Sequence, residues 1–246
     1  MLTNKTIKFV KSLQLKKFRK QEGLFFVEGG KSVEELLEGD FSVKQVFVTK
    51  EFLEGKEQFR ETCGLEPEVV KEADLLRMGT FKTNNAALAV AEMRSARNTD
   101  LPTDEFVLAL DGVRDPGNLG TIIRIADWYG ISKIVASEDT ADFYNPKVLN
   151  SSMGSFARVR VDYRDLESLF ENTDLPVYGA VLDGNDIHAE RFGKGGLVLM
   201  GNESNGVRDN LRQYISHPVT IPRFGGAESL NVATATAVIC DNIRRA

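Results

Sequence analysis

Apolar residues recur along this chain with two periods, and each change of period marks an element. Ile7, Val10, Leu13 and Leu15 stand among lysines, the pattern of an amphipathic helix running to about Phe18. LFFVEG at 24–29 is a short apolar run closed by Gly29 and Gly30 and reads as a strand. KSVEELLEG at 31–39 is helical with Gly39 as its stop, and VKQVFVT at 43–49 alternates as a strand. A charged helix follows over KEFLEGKEQFRET, then a weak strand at 68–70, a short helix EADLLRMG and a strand over 86–93. The stretch RSARNTDLPT at 94–103 has no period, so a linker is placed at 98–104 between domains 1–97 and 105–246.

Beyond the linker the alternation resumes with stronger strands. FVLALD at 106–111 is apolar throughout and ends in a charge, as a buried parallel strand does. The predicted helix 119–130 has Asn118 as its cap, and strands follow at 133–137, 158–163, 176–183, 196–201 and 219–222. Helices are expected over NPKVLNSSMGSF, with Asn145 as N-cap and Pro146 at the first position, and over RDLESLFEN, VRDNLRQY and the C-terminal SLNVATATAVICDNIRRA. The fold class is α/β, a small N-terminal α/β domain followed by an open parallel sheet with helices on both faces. Ligands of such sheets bind beyond the carboxyl ends of the strands, which singles out loops 112–118, 201–207 and 223–228.

Composition narrows the function classes. The 246 residues are 42% hydrophobic and 27% charged, with a net charge of −5, so the chain is not a generic polyanion binder. Its first twenty residues nevertheless carry Lys5, Lys8, Lys11, Lys16, Lys17, Arg19 and Lys20 and no acid, a stretch that suits phosphate contact or a solvated helix face equally well. Cys63 and Cys240 are far apart in sequence and support neither a disulfide framework nor a zinc site, which fits a reduced, cytoplasmic setting. His188 and His217 have no ligand-like neighbours, which weakens a histidine-based hydrolase. Neither a signal peptide nor an apolar run long enough to span a bilayer is present, so no membrane partner is expected.

The unusual residues gather in the three loops. In DPGNLGTIIRIA at 115–126, Arg124 sits among Ile122, Ile123, Ile125 and Ala126 and either snorkels to solvent or faces a ligand such as phosphate. In LVLMGNESNG at 197–206, two glycines bracket Asn202, Glu203, Ser204 and Asn205 at a strand end, either an ordinary turn or backbone approaching a ligand. In IPRFGGAESLNVATATAV at 221–238, Glu228, Ser229 and Asn231 precede a small-residue helix. No GxGxxG follows the first strand of this half, which disfavours a nicotinamide-dependent oxidoreductase. A serine hydrolase is disfavoured too, since GxSxG is missing around Ser229.

Taken together and in this order, NLGTIIRIA, LVLMGNESNGV and IPRFGGAESLNVATATAV resemble the three signature motifs of the SpoU/TrmH RNA 2′-O-ribose methyltransferases, within the SPOUT superfamily. SLQLKKFRKQEGLFFVEGGKSVEELL at 12–37 resembles the family's N-terminal substrate-binding domain, a small RNA-binding fold related to certain ribosomal proteins. Ile125 departs from the small Thr or Ser of many relatives. The resemblance implies a deep trefoil knot in 105–246, a fold feature that general chain topology treats as exceptional. It implies S-adenosylmethionine held by Gly201, Ile221 and Leu230, with Asn202 and Gly206 beside them. The implied catalytic set is Arg124, Asn118, Glu203, Ser229 and Asn231, with Lys16, Lys17, Arg19 and Lys20 on RNA. A homodimer sharing its pocket across the interface is implied, and no metal, because the methyl donor is already activated. Ribosomal RNA is expected over tRNA, since the chain ends directly after the third-motif helix. The alternatives are a tRNA 2′-O-methyltransferase and a non-catalytic RNA-binding relative.

Overall fold

The computed structural model describes residues 2–95, 100–202 and 204–245. The chain forms two compact units, Met1–Ser95 with Asp142–Ala157, and Ala96–Ala141 with Arg158–Ala246.

The first unit contains α1 (Asn4–Ser12), α2 (Lys16–Glu22), β1 (Leu24–Glu28), α3 (Gly30–Glu38), β2 (Val43–Val48), α4 (Lys50–Leu53), α5 (Glu57–Cys63), β3 (Glu68–Val69), α6 (Glu72–Met78) and β4 (Ala87–Glu92). Its strands lie in the order β1-β4-β2-β3, antiparallel except for β2 with β3. Ile7, Val10 and Leu13 pack with Phe26, Phe47, Leu75, Met78, Leu88 and Val90 in one core. The expected single helix to Phe18 is therefore two helices, and the expected helix over 50–62 is also two, broken where Gly55 turns with φ +76°.

Arg19 explains the first break and corrects its own assignment. Its side chain is 2% exposed rather than free for RNA. Nη1 donates to the carbonyls of Leu13 and Gln14 at 2.9 and 2.8 Å, which the end of α1 leaves without helical partners, and Nη2 pairs with Asp142 Oδ2 at 2.6 Å. Removing one member of a buried pair leaves the other charged and desolvated. Arg19→Ala is expected to lower unfolding stability by about 3 kcal/mol, read as a shift of the urea midpoint at unchanged slope; an unshifted midpoint would show that the pair contributes nothing. Lys16, Lys17 and Lys20 on the same helix are exposed.

Residues 142–157 also differ from expectation. They include α8 (Pro146–Ser152), capped by Asn145 with Pro146 in its first turn as the sequence indicates. This excursion packs within the first unit, although it lies inside the sequence range 105–246. Besides Arg19–Asp142, Asn150 Nδ2 donates to Glu28 Oε1 at 3.2 Å, and Tyr144 Oη accepts the Arg94 backbone N–H at 2.8 Å.

The second unit contains β5 (Phe106–Leu110), α7 (Pro116–Trp128), β6 (Lys133–Ala136), β7 (Arg160–Tyr163), α9 (Leu166–Glu171), β8 (Val177–Asp186), β9 (Gly196–Met200), α10 (Asp209–Arg212), β10 (His217–Thr220) and α11 (Val232–Arg245). Among the described residues its strands form one parallel six-stranded sheet in the order β10-β8-β9-β5-β6-β7. β5 and β9 are buried at every position, as apolar runs inside a parallel sheet require. Val107, Ala109, Leu197 and Leu199 pack with Val135, Phe170, Val177, Val207 and Leu211. No helix of the described residues is long and apolar enough to cross a membrane. Burial pushes the Cys240 thiol up to about 12, so it stays protonated and inert at neutral pH.

Candidate active site

The segments that follow β5, β9 and β10 leave the sheet at strand carboxyl ends, and each carries one of the three sequence motifs. After β5 the chain turns through Gly112, at φ +67°, to Asp115. Asp115, not Asn118, caps α7, its Oδ1 accepting the Asn118 backbone N–H at 2.9 Å with Pro116 at the first helical position. Asn118 thus lies inside the first turn, and its side chain faces another segment. It faces Asn231, whose Nδ2 donates to Asn118 Oδ1 at 3.0 Å. Asn231 also caps α11, accepting the Ala233 and Thr234 N–H groups at 3.0 and 3.3 Å. One hydrogen bond therefore joins the first and third motifs, which are 113 residues apart.

The second motif makes a tight turn. Asn202 and Gly206 exchange backbone hydrogen bonds of 3.0 and 2.9 Å. Asn202 Nδ2 donates to the Gly112 carbonyl at 2.7 Å, and its Oδ1 accepts the Ser204 N–H at 2.9 Å. Gly201 is required here by space. A Cβ at that position would come within 2.2 Å of the Gly206 carbonyl carbon and of the Val207 nitrogen. Glu203, expected in the catalytic set, lies outside the described residues.

The segments after β9 and β10, together with β8 and the first turns of α11, surround a cavity of about 580 Å³. Of the residues expected to hold a cofactor, Gly201, Gly206, Ile221 and Leu230 line it; Asn202 does not line it but fastens the turn that does. Ser229 lines it as well. Asn118, Asn231 and Arg124 do not. Arg124 is the exposed ninth residue of α7, without a hydrogen-bond or ion-pair partner among the described residues. It stands about 9 Å of axial rise from Asn118 and is turned away from it around the helix, so one chain does not bring the two together. Sequence reasoning missed Ala180, Val181 and Leu182 of β8, which form another wall. They are ordinary strand residues, and only the adjacency of β8 to β10 reveals them.

Asp111 was also missed, although a charge ending an apolar strand was visible. It is 1% exposed, accepts the Arg208 backbone N–H at 2.8 Å and pairs with the Arg208 guanidinium. The hydrogen bond that the Arg208 guanidinium donates to the Asp111 carboxylate holds the Arg208 pKa above its ordinary value. Hydrogen bonds from Arg114 and then Ser137 hold the Asp139 carboxyl below its ordinary value.

Comparison with known proteins agrees with this geometry. The SpoU rRNA Methylase family matches residues 105–241, and the MRM3-like substrate binding domain matches residues 4–89. The chain is 33% identical over 249 residues to the 23S rRNA (guanosine(2553)-2'-O)-methyltransferase RlmP of Bacillus subtilis (strain 168), covering 98% of this chain and 96% of that protein. An AdoMet-bound rRNA methyltransferase from Sinorhizobium meliloti superposes with a TM-score of 0.88 at 29% identity, covering 100% of this chain and 96% of the other. A TrmH-family protein from Porphyromonas gingivalis gives 0.87 at 34% identity, with 100% of both chains covered. With its motifs standing at the strand ends where a parallel sheet gathers ligands and a family match over more than half of its length, this protein belongs to the SpoU rRNA methylase family.

Proposed function

We propose that this protein transfers a methyl group from S-adenosylmethionine to a ribose 2′-hydroxyl of ribosomal RNA. The observation that carries the reading is the Asn118–Asn231 hydrogen bond, which fixes the first motif against the segment whose Ser229 and Leu230 line the cavity. The cavity fits the donor. Its volume falls within the roughly 300–1,000 Å³ of small-molecule sites. Its walls combine apolar side chains (Met200, Val219, Ile221, Leu230) with the main chain of Gly201 and Gly206.

When bound, S-adenosylmethionine supplies a methyl group on a sulfonium leaving group. The residues of the chain position the two reactants, which supplies several kcal/mol. Arg124 places a positive charge beside the ribose oxygen as its proton passes to solvent and the oxygen–methyl bond forms, or on the adjoining phosphate. Ser229 and Glu203 complete the polar set on this reading.

Arg124 reaches the cavity of a second copy in a homodimer. Supporting this, Arg124 and Trp128 are four residues apart on one face of α7, and Trp128 is 82% exposed. Phe224, 98% exposed in the third motif, adds a further apolar surface that favours covering. The trefoil knot that the motif resemblance implies belongs to the same reading. So does a cytoplasmic location, where the substrate is made.

Lys16, Lys17 and Lys20 contact RNA phosphates. Replacing all three by Gln is expected to reduce the slope of log affinity against log salt by roughly 2 to 3, measured by filter binding to ribosomal RNA across a salt series. An unchanged slope would remove these lysines from the interface. The function itself is tested by calorimetry with S-adenosylmethionine and S-adenosylhomocysteine, and by mapping 2′-O-methyl sites in total RNA from cells with and without the protein. The reading expects micromolar-range uptake and the loss of one ribosomal site. Loss of a tRNA site would replace the substrate, and failure to take up either ligand would overturn the reading.

A further inference from the structure

Among the described residues of the second unit, the proposed chemistry leaves one buried carboxylate, Asp111, without a role. Among the described residues, the side-chain hydrogen bonds of Asp111 go to residue 208 alone: the backbone N–H to Oδ2 at 2.8 Å, and the guanidinium to Oδ1. One residue on, the Gly112 carbonyl accepts Asn202 Nδ2 at 2.7 Å. The segment 202–208 is thus fastened at both ends to Asp111 and Gly112, the two residues that follow β5. Between these fastenings Ser204, Asn205, Gly206 and Val207 line the cavity.

The energetics favour a specific purpose for Asp111. A carboxylate at 1% exposure is costly to bury unless charge-assisted hydrogen bonds replace its water. All those replacements come from the far end of the cavity loop. Arg208 is 50% exposed, so solvent screens its half of the pair, whereas the backbone hydrogen bond is protected. Asp139 also approaches the Arg208 guanidinium, at 3.5 Å, and is itself anchored by Ser137 at 2.7 Å.

We propose that Asp111 is a positioning residue for the donor-binding loop, fixing the turn 202–208 through Arg208 in the shape that lines the cavity. This rests on reading the cavity as the S-adenosylmethionine site. Asp111 touches neither reactant; it acts through the main chain of the loop.

The test uses the full chain and four variants: Asp111→Asn, Arg208→Gln, Arg208→Lys and the double variant Asp111→Asn/Arg208→Gln. The readouts are calorimetric affinity for S-adenosylhomocysteine, the separate KM values for donor and RNA, and melting temperature without ligand. Asp111→Asn is expected to weaken ligand binding about tenfold and Arg208→Gln about threefold, because the second keeps the backbone hydrogen bond. Arg208→Lys should fall between wild type and Arg208→Gln. The double variant Asp111→Asn/Arg208→Gln should bind no more weakly than Asp111→Asn alone, as partners in one unit do. The KM for RNA should not move. Lower melting temperature with wild-type affinity in folded Asp111→Asn would make the residue merely structural and overturn the proposal. If that variant does not fold, the Arg208 pair decides: wild-type affinity in Arg208→Gln overturns it, and graded loss with partial rescue by Lys sustains it. A wild-type protein that takes up no ligand overturns the functional reading and this inference with it. Wild-type uptake with unaffected variants overturns the inference alone.

Discussion

Replacing Arg124 with alanine is expected to reduce turnover by about 10²–10³-fold while leaving affinity for S-adenosylmethionine near wild type. The split follows from position. On the proposed reading Arg124 stands beside the ribose oxygen or its phosphate and not among the residues that hold the donor, so donor binding loses nothing directly. Its charge matters only as negative charge grows on the attacking oxygen, and such an interaction is lost from turnover and from kcat/KM equally. Lysine should restore little of the rate, because a point charge on a flexible stem does not reproduce a planar fork of donors. Single-turnover methylation of ribosomal RNA gives the rate, and calorimetry the affinity. Near-wild-type turnover in Arg124→Ala would remove the residue from the mechanism. The same variant tests the shared pocket. Mixed after co-expression with Ser229→Ala chains, it forms heterodimers in which one site carries both wild-type groups, so activity should reappear from two inactive parents. Parents that stay inactive when mixed would place Arg124 and Ser229 in the same chain's site.

Much of this fold is legible locally. The central strands β5 and β9 appear as apolar runs because they are buried at every position, and Asn145 with Pro146 announces α8 correctly. Misreadings arise where local chemistry is ambiguous or the deciding partner is distant. Asp115-Pro116-Gly117-Asn118 reads as a turn followed by a cap, yet Pro116 already occupies the first helical position, so the cap moves three residues earlier. Leu13 and Leu15 continue the apolar pattern of α1 straight through its end. What stops the helix there is a guanidinium six residues on, whose acidic partner is 123 residues away. No window of sequence contains that fact, and it turns Arg19 from an apparent RNA contact into a buried strut. The helix over 146–152 is legible, but the unit it joins is a matter of tertiary packing. In the site, the polar motif residues stand out by type. The Ala180–Leu182 wall does not, because its role comes only from which strand lies beside which.

Another part of the cavity lining, Gly201, carries the second large prediction. Gly201→Ala is expected to weaken S-adenosylmethionine binding by about 100-fold and to lower the melting temperature. The added methyl would meet main-chain atoms at 2.2 Å, and those atoms have little room to retreat. Residue 206 is bonded to Asn202 in both directions, and residue 208 is held by the buried Asp111 carboxylate. Either the methyl is accommodated by breaking these bonds, or β9 shifts within the sheet where it is flanked by β8 and β5. Both routes deform the cavity rather than fill it, so affinity falls even in the fraction that folds. Gly226→Ala is the matched control: a Cβ there meets nothing within 4 Å, so melting temperature and donor affinity should stay near wild type. Calorimetry and thermal denaturation on the pair separate the alternatives. A folded Gly201→Ala protein with wild-type affinity would mean that the donor does not lean on this turn. The close approach of 201 to 206–207 would then be a requirement of the fold alone.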